Sequence, residues 1–186
     1  MNVILASQSP RRKQLMGLLF DSFDIIPSRA EEKIPAGMKN ENVPVHLALL
    51  KAKEVARRHP DSLVIASDTV VIADGCILGK PKDENDAEKM LSSLSGKTHT
   101  VVTGCVLQKG EKTLAFSDTA KVEFYPLTKE EIRAYIATGE PMDKAGAYGI
   151  QGKGALLVKG IEGDFYNVMG FPVALIQRKI KEFLAK

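Results

Sequence analysis

Val3-Ile4-Leu5-Ala6-Ser7-Gln8-Ser9-Pro10-Arg11-Arg12 is a short apolar run that breaks into a polar turn and then a proline. An apolar run of this length, stopped by Ser7, reads as a buried strand. Ser9 suits a helix N-cap, and Pro10 suits the first helical position, where its missing N–H costs little. The helix is predicted to run on through Leu15, Leu18 and Leu19. The strand that feeds into this helix opens a chain of mixed strands and helices without strict βαβ repetition, which argues for an α/β or α+β sheet.

Phe23 to Pro27 reads as a second strand, and Ser28 to Asn42 as a polar, irregular segment holding Glu31-Glu32-Lys33. From Pro44 to His59 the spacing of Leu47, Ala48, Ala52, Val55 and Ala56 predicts a helix with one broad apolar face. Lys51 falls inside that face, beside Leu47 and Val55, whereas Lys53 falls opposite. A lysine in an apolar face either snorkels to its rim or reaches an anion.

Leu63 to Ser67 is a compact strand that leads into Asp68-Thr69 and continues through Val70-Val71-Ile72 to an Asp74-Gly75 hairpin turn. Asp68 is therefore expected inside or at the end of a buried strand. After Gly79-Lys80-Pro81 a helix from Asp83 to Ser93 is predicted, capped by Asp83 and stopped by Gly96. Two alternating strands follow, Thr98 to Gln108 and Thr113 to Tyr125, joined at Gly110. Thr128-Lys129-Glu130-Glu131 is a capping box that opens a helix to Thr138, ended by Gly139. Gly146 to Gly154 reads as a glycine-rich loop rather than a helix, Leu156-Leu157-Val158 as a last strand, and Pro172 onward as a helix with Val173, Ile176, Ile180 and Phe183 on one face.

The 186 residues suit a single domain, 1–186, with no repeat and no linker. A hydrophobic fraction of 44% and a charged fraction of 26% are those of a globular chain. The net charge of +3 is too small to argue for coating a nucleic acid. Cys76 and Cys105 form no C-x-x-C pair, so neither zinc nor a disulfide framework is expected. No apolar run approaches the roughly 18 residues of a membrane span, and the start lacks a basic leader region, so a cytoplasmic location is expected.

Ser7, Ser9, Arg11 and Arg12 sit where backbone N–H groups and paired guanidiniums can hold an anion. Cations in a first turn oppose the helix dipole, which favours a functional reading over a solvated one. Asp68 suits a general base or a metal ligand, or else a local turn cap. Glu31 and Glu32 are surface charges unless the fold brings one beside Asp68; oxygen donors of this kind suit Mg²⁺ or Mn²⁺. Lys80 on its tight loop fits a phosphate charge or a plain turn. The Gln151 amide, in a loop that permits close backbone approach, can both donate to and accept from a base edge. His46, His59 and His99 show no catalytic or metal spacing, and no serine lies in a nucleophile elbow.

Leu5-Ala6-Ser7-Gln8-Ser9-Pro10-Arg11-Arg12, Ala66-Ser67-Asp68-Thr69-Val70-Val71, Gly79-Lys80-Pro81 and Asp143 to Gly152, in this order and spacing, resemble the Maf family of nucleotide pyrophosphatases. The resemblance implies an elongated mixed β-sheet flanked by helices, of the inosine triphosphate pyrophosphatase type, with two lobes around a central cleft. It implies a divalent metal cation, Mg²⁺ or Mn²⁺, and hydrolysis of a nucleoside triphosphate to the monophosphate and pyrophosphate. Tyr148-Gly149-Ile150-Gln151-Gly152 is similar to the branch acting on dTTP and UTP rather than that acting on 7-methyl-GTP.

By the same resemblance Asp68 matches the catalytic base, and Glu32, the second acid of the Glu31-Glu32 pair, matches a position that helps to hold the metal, which Asp68 would share by the chemistry of its carboxylate. Arg11, Thr69 and Gln151 match specificity positions, and Lys51 and Lys80 match phosphate-contacting lysines; Ser7, Ser9 and Arg12 are expected to bind phosphate from their place at the strand-to-helix turn. The expected partner is the nucleoside triphosphate, with no nucleic acid and no membrane, and a homodimer as an open option. The alternative function is a nucleotide-binding regulator of cell division, since the family has been linked to septum formation. A dehalogenase-like phosphatase built on Asp68 would want a second aspartate at position 70, which is Val70.

Overall fold

The structure is a computed structural model that describes residues 1–185. Its elements in chain order are β1 (Val3–Leu5), α1 (Pro10–Met16), β2 (Asp24–Ile25), α2 (Val43–Arg58), β3 (Leu63–Ala73), β4 (Cys76–Leu78) and α3 (Glu84–Leu94). They continue with β5 (Thr98–Lys109), β6 (Lys112–Phe124), α4 (Lys129–Ile136), β7 (Val158–Glu162), α5 (Phe165–Val168) and α6 (Val173–Ala185). The strands form one seven-stranded sheet in the order β2-β1-β3-β5-β6-β7, with β4 paired to β3. Pairing is mixed: β1 runs parallel to β2 and β3, whereas β3–β4 and β6–β7 are antiparallel. This is the mixed sheet with flanking helices expected from the sequence. Among the described residues no helix is long and apolar enough to cross a membrane.

The chain divides into two compact units whose boundaries fall within β3, β5 and β6 and between α5 and α6. The first comprises residues 1–69, 103–118 and 170 onward. Its core is built by the alanine-rich face of α2: Ala48, Ala52, Val55 and Ala56 pack on Ile4, Ala6, Val64, Ala66 and Val106. Small side chains let helix and sheet approach closely, and Gly104 completes the fit. A Cβ on Gly104 would stand 2.2 Å from the Val45 nitrogen. The second unit comprises residues 70–102 and 119–169. There α3 and α4 bury Leu91, Leu94, Ile132 and Ile136 with Val101, Val122, Phe124 and Tyr148. Each such side chain contributes about 1.5–3 kcal/mol through apolar area removed from water.

The helix starts follow the expected chemistry. Ser9 caps α1, Asp83 caps α3, and Thr128 and Glu131 complete a capping box on α4. Several boundaries differ by a residue or more, three of them as follows. Helix α1 stops at Met16, because Leu18 and Leu19 bond back three residues to Leu15 and Met16 and tighten the last turn; Leu18 is exposed. Strand β2 keeps only two residues. Leu156-Leu157 is not strand but the end of a 3-10 turn over Gly152–Leu157, and pairing with β6 starts only at Val158. That turn is forced by packing: a Cβ on Gly154 would lie 2.1 Å from the Gly149 carbonyl oxygen. The segment read as a glycine loop thus contains 3-10 turns over Ala145–Ala147 and Gly152–Leu157.

Candidate active site

Asp68 lies in the middle of β3, not at its end. Alternation along a strand puts residues 66 and 68 on one face and 67 and 69 on the other. The first face meets α2, on which Ala66 packs. There Lys51 Nζ donates to Asp68 Oδ1 at 2.5 Å and lies 3.1 Å from Glu32 Oε1. The misplaced lysine of the α2 face is therefore matched by two carboxylates. Asp68 and Lys51 side chains are only about 15% exposed (14% and 15%), so their attraction is less screened than at the surface. Glu31 points elsewhere, pairing with Lys33 at 2.9 Å, both side chains being largely exposed. Of the two adjacent glutamates it is Glu32 that joins Asp68.

The opposite face of β3 carries a polar network. Arg12 donates through Nε to Gly170 O at 3.0 Å, through Nη2 to Thr69 Oγ1 at 3.1 Å and through Nη1 to Ser7 Oγ at 3.5 Å. Thr69 Oγ1 shares a 2.9 Å hydrogen bond with Thr103 Oγ1, and Ser67 Oγ donates to Gly170 O at 3.2 Å. Burial lowers the Arg12 pKa, while Asp68 raises it. Ser7 Oγ accepts from Ser9 N, and Ser9 Oγ accepts from Arg12 N as the α1 cap. These hydroxyls therefore shape the turn as well as facing its surroundings. Arg11, in the first turn of α1, is half-buried. The neighbouring Cys105 is buried, which pushes its thiol up to about 12, so it stays a neutral packing residue and not a nucleophile.

The second unit holds Lys80 and Gln151. Lys80 is exposed on the loop after β4, and Gly79 O accepts from Gly146 N at 3.0 Å, tying that loop to the glycine-rich segment. Gln151 is half-exposed. The residues before it are anchored by aromatic hydroxyls: Tyr148 OH bonds His99 Nε2 at 2.8 Å, and Gly149 N donates to Tyr135 OH at 3.1 Å. His99 and Tyr148 stack edge-on with Phe124. Burial pulls the His99 imidazole down to about 4, leaving it neutral near pH 7, and raises Tyr148.

From the sequence no role is read for Thr103, Gly170 or Tyr135, and His99 shows no catalytic or metal spacing, only an ordinary structural role. Gly170 ahead of Phe171-Pro172 was a visible backbone signal, since glycine before a rigid pair often marks an unusual φ; its φ is +96°. Nothing local marks Thr103 or Tyr135. For the metal expected from the resemblance, the donor set is the test. Among the described residues no three His, Cys, Asp or Glu side chains cluster as a ready-made metal cage. Two carboxylates, Glu32 and Asp68, do converge on a single cationic atom. That donor set fits a hard divalent ion that keeps waters and takes further oxygens from phosphates.

A family model described as Maf-like protein matches residues 2–183. The dTTP/UTP pyrophosphatase of Bacillus velezensis is 52% identical over 99% of this chain and 97% of its own length. That of Bacillus cytotoxicus is 51% identical, covering 97% and 94%. Among solved structures, the Staphylococcus aureus Ham1 protein superposes with a TM-score of 0.59 over 98% of this chain and 99% of that one. At 17% identity this likeness establishes the fold alone.

Proposed function

From the premise that the chain belongs to the Maf family, we propose that it hydrolyses dTTP and UTP to the nucleoside monophosphate and pyrophosphate, acting as one domain in the cytoplasm. The names and near-complete coverage of its relatives support the substrate. The observation that carries the chemistry is the meeting of Asp68 and Glu32 at Lys51.

In this reading Asp68 is the base. Lys51 occupies its Oδ1, which fixes the carboxylate and leaves Oδ2 to take a proton from water. The water oxygen forms a bond to the α-phosphorus, the bond from that phosphorus to the bridging oxygen breaks, and pyrophosphate leaves with the electron pair. Lys51 and Lys80 offset the charge that grows on the phosphates. Ser7, Ser9 and Arg12 hold phosphate oxygens, with Arg12 oriented by its protein contacts. Glu32 and Asp68 would hold Mg²⁺ or Mn²⁺, which supplies Lewis acidity to the phosphates when bound. Arg11, Thr69 and Gln151 set base preference, the Gln151 amide being able to donate and accept at once.

Asp68→Asn tests the assignment of the base. Pyrophosphate release from dTTP and UTP should fall by a factor of about 10² or more, the usual range for general acid–base catalysis, while the circular dichroism spectrum is retained. Near wild-type turnover in that variant removes Asp68 from the role.

A further inference from the structure

The Arg12 guanidinium is a planar fork with five N–H groups, and its two edges are used differently. The side edge faces the protein, Nε on Gly170 O and Nη2 on the Thr69 hydroxyl. The terminal edge, made of Nη1 and the second Nη2 hydrogen, meets just the Ser7 hydroxyl at 3.5 Å among the described residues.

Both acceptors of the side edge are themselves held. Gly170 O also accepts from Ser67, which is fully buried, and Thr69 Oγ1 is bonded to Thr103 Oγ1, fully buried on β5. Gly170 leaves no room for variation: its φ is +96°, and a Cβ there would stand 2.9 Å from Thr69 Oγ1 and 3.4 Å from Arg12 Nη2. Glycine is needed both for the backbone angle and for the close approach.

We propose that Thr103 and Gly170 are positioning residues for substrate capture: they fix the side edge of Arg12 and the Thr69 hydroxyl, so that the terminal edge of the guanidinium meets a phosphate of the nucleotide. This rests on the reading of Arg12 and Thr69 as substrate contacts. A guanidinium loose on its stem must be ordered when the ligand arrives, and that ordering weakens binding. One already clamped along an edge presents parallel N–H groups in the geometry that phosphate oxygens accept. Thr103 touches no substrate in this scheme; it acts through Thr69.

The test is steady-state pyrophosphate release from dTTP and UTP. Thr103→Val keeps the side-chain shape and removes the hydroxyl, whereas Thr103→Ser keeps the hydroxyl. Thr103→Val should raise KM about three- to tenfold, the factor expected for one lost hydrogen bond, with kcat within about twofold; Thr103→Ser should restore KM. Gly170→Ala should raise KM by about tenfold or more, because strain and a clash act together. A folded Thr103→Val with unchanged KM, or with lowered kcat alone, overturns the proposal. Should Thr103→Val not fold, Thr103→Ala compared with Thr103→Ser decides by the same readout. Arg12→Lys and Thr69→Val separate the two levels. If both keep the wild-type KM, the reading of the site itself fails; if both raise it and Thr103→Val does not, the positioning role alone fails.

Discussion

Asp68 and Thr69 are chain neighbours that face opposite sides of β3: the carboxylate meets Lys51 on α2, and the hydroxyl meets Arg12 and Thr103. Two adjacent residues thus join different networks through strand alternation alone. The division separates what holds the proposed base from what orients the phosphate grip. Each side can be perturbed by itself.

Lys51 is expected to stabilise the fold as well as serve the reaction. Lys51→Met leaves Asp68 and Glu32 facing each other without a cation, at sites that are about 14% and 49% exposed. Discounted for that exposure, the loss should be about 1–3 kcal/mol. Thermal melts should show the deficit, and adding Asp68→Asn to Lys51→Met should recover part of it without recovering activity. Equal melting temperatures for Lys51→Met and the wild type would show that the pair adds nothing.

Removal of divalent metal should abolish pyrophosphate release. After treatment with a chelator the protein is expected to be inactive, and Mg²⁺ or Mn²⁺ should restore it. Glu32→Gln should raise the metal concentration needed for half activation, whereas Glu31→Gln should not, since Glu31 pairs with Lys33. Full activity in excess chelator would refute the metal reading.

His99 predicts an acid limb of stability. Its imidazole titrates near 6.5 unfolded and at about 4 folded, because burial disfavours the charged form. Between those values the unfolded state binds more protons, so stability is fully present above about pH 6.5 and declines as pH falls toward 4. The decline from this group amounts to about 3 kcal/mol. Urea melts at pH 7, 5.5 and 4 should follow this limb, and His99→Gln should flatten it. A slope that is the same in both proteins would assign it to other groups.

Gly104 sets how closely α2 approaches the sheet. In Gly104→Ala the new Cβ would meet the Val45 nitrogen at 2.2 Å and the Pro44 carbonyl carbon at 2.3 Å. Backbone cannot rotate away, so a loss of about 3 kcal/mol or more is expected. Lys51 rides on α2, so pyrophosphate release should fall as well. A Gly104→Ala protein with normal melting temperature would contradict this packing.

Tyr135 and Tyr148 hold the approach to Gln151. Tyr135→Phe removes the acceptor of the Gly149 N–H at a buried site, which should cost about 1–3 kcal/mol. If Gln151 reads the base, the ratio of kcat/KM for dTTP over other nucleotides should also narrow. An unchanged ratio in both Tyr135→Phe and Gln151→Ala would detach this loop from selectivity.

Much of the fold was legible because its signals are local. Ser9, Asp83 and the Thr128–Glu131 box cap the helices that they were expected to cap. The apolar stripe of α2 appears with Lys51 inside it, and β3 carries Asp68 within a buried run. The misses were places where packing overrides propensity. Leu156 and Leu157 read as strand, but Gly154 pressed on Gly149 bends them into a 3-10 turn. Arg12 was legible as a first-turn cation, but the protein acceptors that orient its guanidinium, Gly170 O, Thr69 Oγ1 and Ser7 Oγ, were not, because two of them lie far away in sequence.

By itself the sequence determined the alternation of elements, the capped starts, the family motifs and the oddity of a lysine in an apolar face, because each depends on residues a few positions apart. The tertiary structure decided that Glu32 and not Glu31 joins Asp68 at Lys51, and that Gly170, 158 residues from Arg12, supplies the carbonyl that aims its guanidinium. Such partnerships depend on which distant backbones meet and at what separation. No local pattern encodes a distance of that kind; it emerges only when helix, strand and loop are packed to contact.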